Sequence, residues 1–126
     1  MPGRLGRLCY MQDYHKLLVW KKAFEFVVLS YRLSRLFPKE EMFGLTSQLR
    51  RSAISVATNL VEGVGRQGKN ETKQFANIAL GSLAETEYLL SFCRKLNFLA
   101  ENEYNNLIKL KEEVGKLLWG FHRSFL

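Results

Sequence analysis

The chain has 126 residues, 47% apolar and 25% charged, with 19 basic against 12 acidic side chains and a net charge of +7. That is one domain with enough apolar side chains to bury a core, not a disordered tail. Its two cysteines and two histidines exclude a disulfide framework, a four-ligand zinc site and the paired Glu-x-x-His motifs of a di-metal bundle.

From the N-terminus, residues 1–10 carry Arg4 and Arg7 but neither helical periodicity nor the apolar stretch of a secretory leader. Residues 1–13 are therefore expected to be a flexible N-terminal segment, with Met11 a suitable start, ahead of a helical domain over 14–126. No apolar run approaches the roughly 20 residues of a membrane span. A reducing, cytoplasmic setting fits these features.

Proline occurs only at Pro2 and Pro38, and glycines gather at Gly63, Gly65 and Gly68. Between these breaks apolar residues recur at helical spacing, which predicts helices over 15–36, 42–66, 71–97 and 102–123. The glycine run reads as a helix exit that accommodates a left-handed residue, and Asn70 followed by Glu71 reads as the next helix's cap and acidic first turn. All three connections are short, so the fold class is all-α: an antiparallel up-down four-helix bundle.

The first helix carries two apolar stripes. Leu17, Trp20, Phe24, Val27, Val28 and Tyr31 form one, and Val19, Ala23, Phe26 and Leu33 the other. A surface helix needs one such face. The second is best explained by another subunit, with a central position in the bundle as the alternative. On that reading Phe26 belongs to the subunit contact, and Phe26→Glu should dissociate an oligomer more readily than it unfolds the bundle.

The second helix buries Leu45, Leu49, Ala53, Val56, Leu60 and Val64 and presents Gln48, Arg51, Ser55, Asn59, Glu62 and Arg66 opposite. That polar stripe is a ligand surface, a subunit contact or a wetted face. Ala53, Ala57, Ala76, Ala79 and Ala84 permit close helix approach.

No catalytic constellation emerges, so no enzyme, cofactor or metal is expected. Gly63-Val64-Gly65 followed by Gly68 spells G-x-G-x-x-G, but it ends a helix and lacks the strand that a dinucleotide site requires. Glu40 and Glu41 follow a proline at a helix start, and Glu112 and Glu113 sit among lysines on a helix surface. Neither pair converges as an acid/base dyad must. Cys93 falls on the apolar side of its helix, and Trp20 and Trp119 read as core or interface aromatics.

What remains is basic. The positive excess lies in the first half of the chain, since residues 70–126 balance to zero. Arg50 and Arg51 lie in the second helix, Arg66 and Lys69 at its exit, and Lys73 in the first turn of the third. With Lys21 and Lys22 they form a candidate set for nucleic-acid phosphates.

The order and spacing of several motifs resemble a known family. They are Leu18-Val19-Trp20-Lys21-Lys22-Ala23, Phe37-Pro38-Lys39-Glu40-Glu41, Gly44 through Ser52, Glu62-Gly63-Val64-Gly65-Arg66 and Ala79 through Glu85. Over about residues 14–118 the chain resembles the four-helix-bundle proteins encoded in intervening sequences of bacterial 23S ribosomal RNA genes. The resemblance implies a cytoplasmic bundle assembled as a homopentamer. It also implies kinship with the basic accessory protein of diversity-generating retroelements, which binds nucleic acid and a reverse transcriptase. Two departures stand out. The family's proline before Ser-Asn is missing from Val56-Ala57-Thr58-Asn59, which implies a straighter second helix, and Leu80 stands where arginine is common. The expected function is a non-enzymatic, oligomeric basic bundle that binds structured RNA or DNA through phosphates. The alternative is a scaffold ring that docks a protein such as a reverse transcriptase.

Overall fold

The computed structural model describes Tyr14 and residues 17–124. The expected flexible segment 1–13 and the start at Met11 lie outside the described residues. Four helices follow in order: α1 (Leu18–Ser34), α2 (Leu45–Val64), α3 (Lys69–Lys95) and α4 (Glu101–Arg123), with one 3-10 turn (Lys39–Glu41) before α2. There is no strand among the described residues. Each helix packs on its chain neighbours and α4 closes back on α1, which is the expected up-down bundle.

Hydrogen bonds between α2 and α3 give the direction of packing. The Thr72 hydroxyl donates to the Gly63 carbonyl at 2.9 Å, Ser55 Oγ meets Ser82 Oγ at 2.8 Å, and Thr86 Oγ1 donates to Ser52 Oγ at 2.9 Å. Positions rise along α3 as they fall along α2, a register that only antiparallel helices produce. The small side chains Ala53, Ala76 and Ala79 are fully buried, so α2 and α3 make the most extensive helix pair. α2 runs uninterrupted where the family's proline is missing.

α2 buries Leu49, Ala53, Val56, Leu60 and Val64, as its pattern requires. α1 reverses the expectation drawn from its two stripes. Val19, Ala23 and Phe26 are core, with Phe26 wholly enclosed, whereas Phe24 and Tyr31 on the other stripe are exposed and Trp20 is half-buried. Phe26→Glu would therefore place a carboxylate in the core and unfold the bundle. The apolar face of α1 that stays open is the one bearing Phe24. Two buried serines complete the core stripe, and their hydroxyls donate back to α1 carbonyls, Ser30 to Phe26 and Ser34 to Tyr31.

The connections differ in detail from the sequence reading. Between α2 and α3 no glycine among the described residues has a positive φ, and Gly65 is right-handed. Gly63 is required for another reason: a Cβ there would stand 3.1 Å from Phe75 Cβ. α3 begins at Lys69 with Gly68 as its cap, two residues before the expected cap Asn70, because Thr72 already ties the turn to Gly63 and Gly68. The left-handed residue lies instead at the end of α3, where Asn97 has φ 64°. There the Phe98 N–H donates to the Cys93 carbonyl at 2.8 Å and the Asn97 N–H to Arg94 at 3.0 Å, the pairing that closes many helix C-termini.

Before α2, Glu41 Oε1 accepts the Leu45 N–H at 3.3 Å, so that carboxylate does complement a helix N-terminus. Cys93 is core, and burial pushes its thiol up to about 11.

Candidate nucleic-acid interface

The up-down path brings the start of α1, the end of α2, the start of α3 and the end of α4 to one end of the bundle. Lys21 lies in the first turn of α1, Arg66 just past α2, Lys69 and Lys73 in the first two turns of α3, and Arg123 closes α4. Five cations from four separate segments lie at that end, together with Glu62 and Glu71. Lys21, Lys69 and Arg123 are exposed and Lys73 is half-buried, and none of the four pairs with an acid among the described residues.

Arg66 is partly engaged. Its Nη2 lies 2.9 Å from Glu62 Oε2, and its guanidinium sits 4.8 Å from the centre of the Phe75 ring, which holds it at the edge of the turn. The N-terminus of α3 adds to this end. Gly68 provides no side-chain cap, so the first N–H groups of the helix face outward with the positive end of its dipole.

The remaining candidates are placed differently. Arg50 and Arg51 lie near the start of α2, and about 24 Å of helix axis separates Arg50 from Arg66. Arg50 Nε donates to Ser34 Oγ at 2.8 Å, its Nη2 reaches the Tyr31 carbonyl at 3.5 Å, and its guanidinium lies 4.9 Å from the Tyr31 ring centre. It clamps the end of α1 and belongs to the fold. Arg51 is exposed on the outer face of α2, away from the cluster. Lys22 bridges Glu25 at 3.7 Å and Glu113 at 3.2 Å, and the hydrogen bond and charge of Glu113 hold its ammonium above the ordinary lysine value of 10.5. It ties α1 to α4.

The polar stripe of α2 also divides. Ser55 and Asn59 turn into the α2–α3 seam, where Asn59 Nδ2 donates to the Ser55 carbonyl at 2.8 Å and to Ser55 Oγ at 2.9 Å. Gln48 and Glu62 stay exposed, with Glu62 committed to Arg66. Arg123 escaped the sequence reading because the balanced charge of residues 70–126 hid it. The signal was in the topology, since an up-down bundle must return the end of α4 to the start of α3.

The family profile described as 23S rRNA-intervening sequence protein matches residues 15–120. The chain belongs to that family. Among solved structures it is similar to a protein of unknown function from the S23 ribosomal protein family of Bacteroides thetaiotaomicron. The two share 26% identity over 84% of this chain and 96% of that one, with a TM-score of 0.77. No curated protein sequence matches it. The matched residues include Lys21, Arg66, Lys69 and Lys73, whereas Arg123 lies just beyond them.

Proposed function

We propose that this family member is a non-enzymatic, homo-oligomeric basic bundle that binds structured RNA or DNA through phosphate contacts at one end of the bundle. The observation that carries the reading is that Lys21, Arg66, Lys69, Lys73 and Arg123 share one end of the bundle, four of them without an acidic partner among the described residues. Arginine forks and free ammonium groups around an uncapped helix N-terminus suit phosphate oxygens. No side chain of the cluster is set to read base edges, so charge and shape govern the choice of ligand. In a homopentamer, the assembly that the family resemblance implies, the patch recurs on every subunit and weak contacts add by avidity. The cytoplasm is the compartment in which such a ligand is met.

The test is the triple variant Arg66→Ala, Lys69→Ala, Lys73→Ala, with duplex RNA and DNA titrated over a range of salt. Each phosphate contact contributes a slope of about −0.9 in log K against log salt on duplex DNA. The variant is expected to keep its helicity and melting, to bind all sequences more weakly and to show a shallower slope. Unchanged affinity removes this patch from the function.

One observation favours a second reading, a scaffold that docks a protein such as a reverse transcriptase. Phe24 and Ile54 leave an exposed apolar flank on α1 and α2. A parent protein that binds neither RNA nor DNA at about 50 mM salt would hand the case to that reading.

A further inference from the structure

The seam between α3 and α4 runs out at the cationic end of the bundle. Glu87 of α3 pairs with Lys111 of α4, and a Cβ at Gly115 would touch Leu83, so positions rise along α4 as they fall along α3. That register carries the seam past Leu80 and Trp119 to Arg123, which closes α4 where Lys69 and Lys73 open α3. A groove of about 850 Å³ follows it, floored by Leu80, Leu83, Ala84 and Gly115.

On α4 the groove is lined by Lys116, Trp119 and Arg123, at i, i+3 and i+7, so the indole stands between two cations on one stripe. Trp119 is 51% exposed, yet its ring is held: the buried His122 imidazole meets it in a T-shaped contact at 5.4 Å. Neither Lys116 nor Arg123 pairs with an acid among the described residues. The acids of the groove lie at its inner end. Glu87 is committed to Lys111, and Glu112 stands two turns inward from Trp119. A phosphate is therefore turned away from the inner end and drawn to the outer one, where Arg123 leads on to Lys69 and Lys73. A held aromatic ring, a hollow floored by leucines and a cation one turn beyond are what a splayed-out nucleotide needs: a surface for its base and a partner for its phosphate. A base inside a duplex has both faces covered and cannot use the ring.

We infer that Trp119 is a stacking platform for one unpaired nucleotide. The base enters the α3–α4 groove between the indole and Leu80, its phosphate lies at Arg123, and the adjoining duplex runs over Lys69 and Lys73. The inference rests on the nucleic-acid reading above and names its ligand class, a duplex that carries an unpaired base. Stacking uses the face of a base and not its edge, so the identity of that base matters little.

The test uses the full chain and two probes, a short blunt RNA duplex and the same duplex with a single bulged adenosine, each also made with a fluorescent adenine analogue at that position. The parent is expected to bind the bulged duplex about five-fold or more tighter than the blunt one, and to quench the analogue in the bulge. Trp119→Leu is expected to keep the helicity and light-scattering mass of the parent and to lose both the preference and the quenching. Its affinity for the blunt duplex and its salt slope stay as in the parent, because stacking releases no counterion. Gly115→Leu closes the hollow with the ring in place, since a Cβ there stands at an ordinary 3.5 Å from Leu83 Cδ2, and should act alike. It decides the matter if Trp119→Leu loses helicity. A parent that binds both duplexes equally overturns the platform alone, as does a folded variant that keeps the preference. A Trp119→Leu variant of altered mass places the ring in a subunit contact and overturns the platform too. A parent that binds neither duplex overturns the platform and the nucleic-acid reading together.

Discussion

Alanine at position 63 sets a local gain against a tertiary clash. Gly63 lies in the last turn of α2, where alanine favours the helix by about 1 kcal/mol. Its Cβ, however, would stand 3.1 Å from Phe75 Cβ and 3.3 Å from the Thr72 carbonyl oxygen. One of those atoms is backbone and the other is fixed to it, so neither can swing aside. The start of α3 must move by a few tenths of an ångström, against the 2.9 Å bond from Thr72 to the Gly63 carbonyl. Overpacking of this kind costs about 1–3 kcal/mol, which leaves Gly63→Ala less stable than the parent by about 1 kcal/mol. Gly81 supplies the control. Nothing lies within 4 Å of a Cβ there, so Gly81→Ala keeps the helical gain of about 0.5–1 kcal/mol without a clash. At this chain length 1 kcal/mol moves the midpoint by roughly 3–5 °C, so the two variants should melt about 5–10 °C apart. Both must be scanned at one protomer concentration, because assembly shifts the midpoint. Gly63→Ala melting at or above Gly81→Ala would refute the close approach as the reason for this glycine.

Arg50→Ala should lower the stability of the fold by about 1–2 kcal/mol in urea, since it removes a charged donor from Ser34 and from the end of α1. Arg51→Ala, on the open face of α2, should stay within about 0.5 kcal/mol of the parent, and equal losses would show that Arg50 is no clamp. The Lys22–Glu113 pair predicts a pH dependence. The folded value of Lys22 lies above its ordinary 10.5, so the pair contributes fully below that pH and is lost as pH rises through the folded value. Between about pH 9 and pH 12 the parent should lose more stability than Glu113→Gln, and parallel profiles would exclude the pair.

Much of this was legible in the sequence where one helix face is consistently apolar. α2 is the clear case, because Leu49, Ala53, Val56, Leu60 and Val64 repeat without interruption and all are buried. The breaks at Pro38 and the glycine run were legible for the same local reason. α1 was not. Both its stripes are apolar, and the inner one is disguised by Ser30 and Ser34, whose hydroxyls are satisfied within the helix and so tolerate burial. A helical wheel has no reference to the neighbours that decide between two such faces. The partners of Arg50 were not legible for a related reason: they lie 16 and 19 positions away, beyond any local pattern.

What separates the cations is what lies across from each one. Arg50 faces a carbonyl, a hydroxyl and a ring, and Lys22 faces two carboxylates. A cation already coordinated must give up those partners before it meets a phosphate, so its net contribution to binding is small even where its charge is intact. Lys21, Lys69, Lys73 and Arg123 pair with no acid among the described residues, and Arg66 must loosen one exposed bridge, of the kind worth about 1 kcal/mol or less, and its contact with the Phe75 ring. On the proposed reading, each of the four unpaired cations that contacts phosphate should flatten the salt slope by about 0.9 when replaced. Replacing Arg50 should change the stability of the bundle and leave the slope alone. The composition counts all of these residues alike as positive charge, but the fold leaves only some of them available to a polyanion.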